Sequence, residues 1–400
     1  VSRGGGGGGC AGRGCRGAVG GGARTGPAPL ADAGDPPQLA SVSPADGPVA
    51  GGTLLTLAGA NLGFASAVSI GGTPATLLSV AAGAVTVITQ PGTAGVRDVT
   101  VFTPAGSATL PGAFTYTAAT KVSDEAVGAN APTLQPSLNQ DGRYLAFLSL
   151  ASNLVEGDTN GAGDIFVRDR ATGGIVRVSV SSSGAQANGA SERPRISADG
   201  RFVAFVSTAS NLVPDDTNGV ADVFLHDRDA GRNGVFDEPT GRSTIRVSVA
   251  SDGRQADAAS GQPDLSADGL WVAFVSEATN LVVDDTNDLA DVFLHHWPKG
   301  QTTRVSVATG GGQANGPSRA PSVSAGARRV VFASDATNLV DNDSNGARDV
   351  FLHEREERTT VRLSTAAGTI DDANGASDNP SIDNAGRVVA FQTKATNITT

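Results

Sequence analysis

The sequence has no methionine, two cysteines and very few lysines, namely Lys121, Lys299 and Lys394. Cys10 and Cys15 both lie in the Gly-rich leading stretch. They cannot staple a body that begins further along the chain, so disulfides do not carry this fold. Aromatic residues make up only 4%. No apolar run approaches the ~18 residues of a membrane-spanning helix. Positive charge is scarce: the net charge is −11, split as +2 over residues 1–36, −1 over 37–117 and −12 over the remainder. An acidic chain repels phosphate, so nucleic acid and anionic membrane are poor partners. Also missing are a Gly-x-Ser-x-Gly elbow, a phosphate loop and any Cys/His metal spacing. A non-catalytic protein is the expectation.

What is present divides into three parts. Residues 1–36 are low-complexity Gly, Ala and Arg. Such a stretch buries too little apolar surface to offset its chain entropy and is expected to be disordered. It holds no apolar core of about 7–15 residues, so it does not read as a signal peptide. A chain that opens on Val reads as a fragment or as starting at a non-standard codon.

Residues 37–117 alternate short β-type runs with Gly/Pro turns. The runs are Leu54–Leu57, Ala67–Ile70, Val85–Ile88, Val99–Phe102 and Ala113–Tyr116. Their spacing, without a helical period, predicts a small β-sandwich. The turn cluster Ser43-Pro44-Ala45-Asp46-Gly47-Pro48 is followed by Gly51-Gly52-Thr53-Leu54, Gly59-Ala60-Asn61-Leu62 and a closing Pro111-Gly112-Ala113-Phe114-Thr115-Tyr116. In that order these motifs resemble the IPT/TIG immunoglobulin-like domain over its full length. The resemblance implies a non-catalytic spacer or adhesive module of bacterial surface proteins.

From residue 118 to 400 the chain repeats itself. Tyr144-Leu-Ala-Phe-Leu-Ser149 recurs at Phe202–Ser207, Trp271–Ser276 and Arg329–Ser334, and Val388–Phe391 begins a fifth copy. The aligned phenylalanines are Phe147, Phe205, Phe274, Phe332 and Phe391, separated by 58, 69, 58 and 59 residues. Each copy carries four strand-like runs. Four antiparallel strands that leave both faces apolar must stack on neighbours, which predicts blades of a β-propeller. Copy two, with Pro194-Arg-Ile-Ser-Ala-Asp-Gly-Arg201 before its Val-Ala-Phe strand, resembles the TolB-like, PD40/WD40-like repeat, in which Pro-x-x-Ser-x-Asp-Gly-Arg stands in that place. The expected class is therefore all-β: an Ig-like sandwich, then four full blades and a partial fifth. Thr120-Lys121-Val122-Ser123 reads as an isolated fourth strand. The whole reads as a ring cut short, with six or more blades in full; a tight closed ring in 400 residues is the alternative.

The residues that could carry chemistry lie in acidic loops between the second and third strands of each copy. They are Asp158, Asn160 and Asp164; Asp216, Asn218 and Asp222; Asp285, Asn287 and Asp291; and Asp341, Asp343, Asn345 and Asp349. Oxygens at alternate positions, a Gly bend and a further acid suit a hard cation such as Ca²⁺. The last loop opens like an EF-hand loop but has Leu352 where the bidentate Glu would stand. The second and third have Pro214 and Val283 at the first ligand position. The competing reading is a set of turns in which Asp and Asn bond nearby backbone amides. Asp227, Asp229 and Glu238, in the longer copy, form a second, decayed Ca²⁺-type loop, or a hairpin extension. His226, His295 and His353 share one register, filled by Arg168 in the first copy; one histidine per blade does not make a site. Trp271 belongs to a strand core, and Trp297 is a candidate for stacking on a sugar.

The functional expectation is a secreted or cell-envelope binding protein with no certain cofactor. The sandwich would space a propeller whose rim takes protein or glycan, as the TolB-like resemblance implies. The alternative is the N-terminal part of a hydrolase or peptidase whose catalytic domain lies beyond residue 400.

Overall fold

The computed structural model describes residues 34–117 and 128–398. The leader up to residue 33, with both cysteines, and the Thr120–Ser123 segment lie outside the described residues. The chain divides into two compact units, residues 1–120 and 121–400.

In the first unit, β1 (Gln38–Ser43), β3 (Leu54–Ala60), β7 (Ala84–Ile88) and β6 (Thr76–Ala81) make one sheet in the order β1-β3-β7-β6. The other sheet runs β2-β9-β8-β4-β5, with β2 at Asp46–Pro48, β9 at Gly106–Thr117, β8 at Gly95–Thr103, β4 at Ala67–Ile70 and β5 at Thr73–Pro74. All five expected runs are strands. Along β3, Leu55 and Leu57 are buried while Leu54 and Thr56 are exposed. That period of two sends one face of each sheet inward. Leu55, Leu57, Val68, Ile70, Val85, Val87, Val99, Val101, Phe114 and Tyr116 fill the space between the sheets. The Tyr116 hydroxyl donates to the Gln90 carbonyl at 2.7 Å, so the one polar atom of this core residue is satisfied.

The second unit is a run of four-stranded antiparallel sheets, each in sequential order. Blade one is β10 (Thr133–Leu138), β11 (Tyr144–Ser149), β12 (Asp164–Asp169) and β13 (Ile175–Arg177). Blade two is β14 (Ser191–Ile196), β15 (Phe202–Ser207), β16 (Asp222–Asp227) and β17 (Ser243–Arg246). Blade three is β18 (Ser260–Leu265), β19 (Trp271–Ser276), β20 (Asp291–His296) and β21 (Gln301–Arg304). Blade four is β22 (Ser318–Val323), β23 (Arg329–Ser334), β24 (Asp349–Glu354) and β25 (Thr359–Arg362). A two-stranded sheet follows, β26 (Ser377–Ile382) with β27 (Val389–Thr393).

The middle strands are buried on both faces, so they read as unbroken apolar runs rather than alternating ones. Phe205 and Val203 of blade two pack on Ala146, Leu148, Ile165 and Val167 of blade one. The opposite face of blade two, through Phe202, Ala204, Val206, Val223 and Leu225, packs on Val272, Phe274 and Phe293 of blade three. Small residues on one face receive large ones from the next, which is why a small residue, Ala in blades one to three and Val in blade four, precedes each aligned Phe. Within each blade the phenylalanine of the second strand is paired with one on the third: Phe147–Phe166, Phe205–Phe224, Phe274–Phe293 and Phe332–Phe351, with centroids 5.8–5.9 Å apart. Full burial of each ring is worth roughly 1.5–3 kcal/mol. Leu212, Leu281 and Leu339, from the repeated Asn-Leu-Val, are buried. Leu154 is only half-buried, because no blade precedes the first among the described residues.

Candidate functional site

The acidic loops converge in every blade, and on the same kind of partner. In blade two, Arg246 from β17 reaches back so that Nη1 lies 3.1 Å from Asp216 Oδ1 and 3.4 Å from Asp222 Oδ2. In blade three, Arg304 stands 2.9 Å from Asp285 and 3.3 Å from Asp291. In blade one, Arg177 stands 3.4 Å from Asp158 and 3.8 Å from Asp164. In blade four, Arg362 pairs with Asp372 and lies 3.7 Å from Asp343. A guanidinium from the fourth strand thus supplies positive charge among the carboxylates.

The asparagines face away from that point with their oxygens. Asn160 Nδ2 donates to Asp164 Oδ2 at 3.0 Å and to the Ala187 carbonyl at 2.9 Å, while its Oδ1 accepts from the Ala162 amide at 3.0 Å. Asn218, Asn287 and Asn345 repeat this pattern on Asp222, Asp291 and Asp349. An amide nitrogen must face a carboxylate and an amide oxygen an N–H, so these orientations are fixed by the partners. The last aspartate of each loop also accepts a serine hydroxyl from just beyond the fourth strand: Ser179 on Asp164 at 2.5 Å, Ser248 on Asp222 at 2.6 Å, Ser306 on Asp291 at 2.5 Å and Ser364 on Asp349 at 2.5 Å. The same serine oxygens accept the amides of Ile165, Val223, Val292 and Val350. These links lock the third strand to the residues after the fourth.

Burial sets the ionisation of these acids. It pushes Asp164, Asp216, Asp285 and Asp349 above the ordinary carboxylate range, against the pull of the arginines and donors beside them. Asp343 is pushed up furthest, to about 6, by burial and by the charge of Asp349. Asp341 is exposed at the loop tip, away from the clamp.

The long copy arranges its acids differently. Asp227 takes a bidentate pair from Arg201 at 2.6 and 2.7 Å. Asp229 accepts the amides of Asn233 and Gly234, and Glu238 accepts the Asn233 side chain. These three carboxylates do not converge, because each is engaged by a separate donor. The loop is held as a hairpin extension.

Reading the sequence missed the clamp's other half. Arg177, Arg304 and their serines stand in a repeated Arg-Val-Ser, which was the available signal; its arginine points at the acidic loop and not at solvent. The histidines are structural. His226, His295 and His353 contact Thr244, Thr302 and Thr360 through Nδ1 at 2.8–2.9 Å, and each threonine hydroxyl donates to a carbonyl of the preceding blade. The imidazole must therefore donate, and burial holds His226 down to about 3 and His295 to about 4. Trp271 packs against the His296 ring at 4.2 Å and carries the Arg355 guanidinium over its own ring at 4.5 Å. Trp297 donates to the Gly269 carbonyl and packs on Phe202, so its ring is committed to the blade junction.

A second arrangement lies on the axis. The first strand of every blade carries a bulge at an X-Pro pair, with X in the left-handed region: Gln135, Arg193, Gln262, Ala320 and Asn379, at φ 48–55°. A bulge re-aims the strand, and a strained backbone repeated in all five copies is a built feature. These five residues, with Arg195 and three of the prolines, line a cavity of about 430 Å³. Gln135 accepts the Arg193 amide at 2.6 Å and Gln262 accepts the Ala320 amide at 2.8 Å, each from the next blade. Two half-exposed guanidiniums face the cavity, Arg193 beside Glu192 at 3.6 Å and Arg195 beside Asp264 at 3.4 Å.

The family model of the IPT/TIG domain matches residues 37–116. This stretch is an IPT/TIG domain. Clamp and cavity residues all belong to the blades, so the IPT/TIG domain stands outside both arrangements. Solved structures similar to the chain include a putative TolB from Agrobacterium tumefaciens, 15% identical over 66% of this chain and 71% of that one, with a TM-score of 0.39. TolB from Acinetobacter baumannii is 15% identical over 73% of this chain and 53% of that one, with a TM-score of 0.37. A prolyl endopeptidase structure is 14% identical over 83% of this chain and 40% of that one, with a TM-score of 0.38. A search of the curated proteins finds no match. The propeller assignment rests on the stacked four-stranded sheets themselves. Among the described residues no helix is long and apolar enough to cross a membrane.

Proposed function

We propose that the chain is a non-catalytic binding or scaffold protein of the cell envelope or the extracellular space, in which the IPT/TIG domain spaces a propeller that takes a protein or glycan partner. The observation that carries this reading is the axial cavity. All five inner strands contribute one strained bulge to it, and its rim offers guanidinium and amide groups. Strain that costs stability in every copy and gathers at one concave place supports a recognition role. Arg193 and Arg195 can each give directional hydrogen bonds to acidic or hydroxyl groups of a partner.

The experiment is a peptide and glycan array probed with the full chain and with an Arg193→Ala/Arg195→Ala double variant. Binding that disappears in the double variant supports the reading. Binding that persists unchanged moves the site away from the axis, and an array with no reproducible hit removes the reading.

A further inference from the structure

Blade four departs from its siblings at one corner of the clamp. An isolated β-bridge recurs after each fourth strand: Val180 with Gln186, Val249 with Gln255, Val307 with Gln313, and Thr365 with Asp372. Asp372 therefore occupies the glutamine's position. Gln186 Nε2 donates to Asp158 and Asp164, and Gln255 and Gln313 donate to Thr217 and Thr286. Asp372 has nothing to donate. Its Oδ2 accepts the Ser344 amide and hydroxyl at 2.8 and 2.9 Å, which leaves Oδ1 turned to Arg362.

Two consequences follow. The carboxylates of Asp343, Asp349 and Asp372 each place an oxygen within 4.8 Å of the others, the one such grouping among the described residues. Three carboxylates face one guanidinium, where the other blades set two against one. Independently, Arg362 leans to Asp372 and leaves Asp343 behind at 3.7 Å; the equivalent distances in blades one, two and three are 3.4, 3.1 and 2.9 Å. The Asp343 side chain is 1% exposed, and neither of its oxygens receives a hydrogen bond; Asp285 of blade three also lacks one, but there the guanidinium stands at 2.9 Å. A buried carboxylate without a donor is unfavourable by several kcal/mol unless a countercharge reaches it.

We propose that Asp343, Asp349 and Asp372 form a divalent-cation site selective for Ca²⁺, confined to blade four. Hard carboxylate oxygens on a loop and a neighbouring turn suit Ca²⁺, which accepts irregular geometry and completes its shell with water; Mg²⁺ demands a near-ideal octahedron. Arg362 Nη2 already donates to the Ile370 carbonyl at 3.1 Å, so the guanidinium has a second anchor when a cation takes its place among the acids. The site is independent of the axial cavity and of any partner bound there.

The test is calorimetric titration of the full chain with CaCl2 after chelator treatment, with MgCl2 as the comparison. Melting temperature is read in parallel. The expected result is one Ca²⁺ per chain and a higher melting temperature with Ca²⁺ than with chelator. Asp372→Gln restores the corner of the other blades, so it should fold and lose Ca²⁺ affinity by more than about tenfold. Asp285→Asn, in blade three, should leave the stoichiometry at one. No Ca²⁺ uptake at millimolar concentration overturns the proposal. Unchanged affinity in Asp372→Gln does the same, as does a stoichiometry of four.

Discussion

The ring of Phe202, the first residue of its strand in blade two, lies directly on Gly269 of blade three, so that a Cβ added there would overlap Cδ2 of the ring. Tyr144 stands on Gly200 in the same way one junction earlier. Gly269, which closes the Asp268-Gly269 turn, thus serves two ends. It adopts a φ of +71°, and it admits an aromatic ring from the preceding blade. Gly269→Ala should destabilise the propeller by about 2–4 kcal/mol, combining overpacking with left-handed strain. Gly253→Ala has a comparable φ of +87° but open space around it, and should cost only about 1 kcal/mol. Denaturant titration of the two variants separates close approach from backbone conformation. Equal losses would show that the ring contact contributes nothing.

The clamp arginines hold buried charge in place. Asp285 and Asp291 have side chains 3% and 0% exposed, and Arg304 is the cation beside both. Arg304→Met should leave two uncompensated carboxylates and cost about 3–5 kcal/mol at pH 7. The sign of its pH dependence is fixed. Burial raises Asp285 against the pull of Arg304; without the guanidinium that pull is gone, so the variant's deficit narrows as pH falls toward 5. A loss that is the same at pH 5 and pH 7 would mean the arginine acts by packing alone.

Much of this was legible in the sequence, and the reasons are local. The blade repeat was visible because the second strand is buried on both faces and keeps an apolar run with Phe at its fourth position and Ser at its sixth in all four full blades; the five phenylalanines mark it. Phe391 is the exception, half-buried beside a two-stranded sheet rather than enclosed. The acidic loops were visible as chemistry, but their partner was not. Arg304 lies 13 residues past Asp291 and on another strand, so only the blade's closure brings it to the acids. Asp372 was hidden for a different reason. The spacing from the clamp arginine to its glutamine is nine residues in blades one to three, but Arg362 to Asp372 is ten, and the extra residue breaks the alignment by eye. The axial bulges left a weaker trace still: X-Pro in each first strand predicts a turn or an edge, not a residue of positive φ facing a cavity.

Phe274 and Phe293 exchange cross-strand contact at 5.8 Å and are both fully buried between neighbouring blades. Phe274→Ala should cost about 3–5 kcal/mol through lost burial and the cavity left behind. Phe391→Ala, at a half-buried position, should cost less than half of that. Unfolding followed by intrinsic fluorescence of Trp271 and Trp297, which sit in blade three, reports the first directly. Similar losses at the two positions would contradict the burial described for blade five.

The buried histidines and Asp343 pull stability in opposite directions as pH changes. His226 and His295 are held to about 3 and about 4 in the folded chain, and His353 is also lowered, all by burial first. The unfolded chain takes a proton on each near pH 6.5. Their contribution is complete above that value and declines as pH falls below it, at up to about 1.4 kcal/mol per pH unit for each histidine. Asp343 behaves inversely: its folded value is raised to about 6, so protonation between pH 6 and the unfolded carboxylate value favours the folded state. In chelator the three histidines lower stability from pH 7 to pH 5, and Asp343, with the other raised aspartates, offsets part of that loss. His295→Gln should flatten that slope and Asp343→Asn should steepen it. Added Ca²⁺ removes the Asp343 contribution by excluding the proton, so the wild-type slope with Ca²⁺ should approach that of Asp343→Asn. Slopes that are identical in all three proteins would show that neither group titrates in this range.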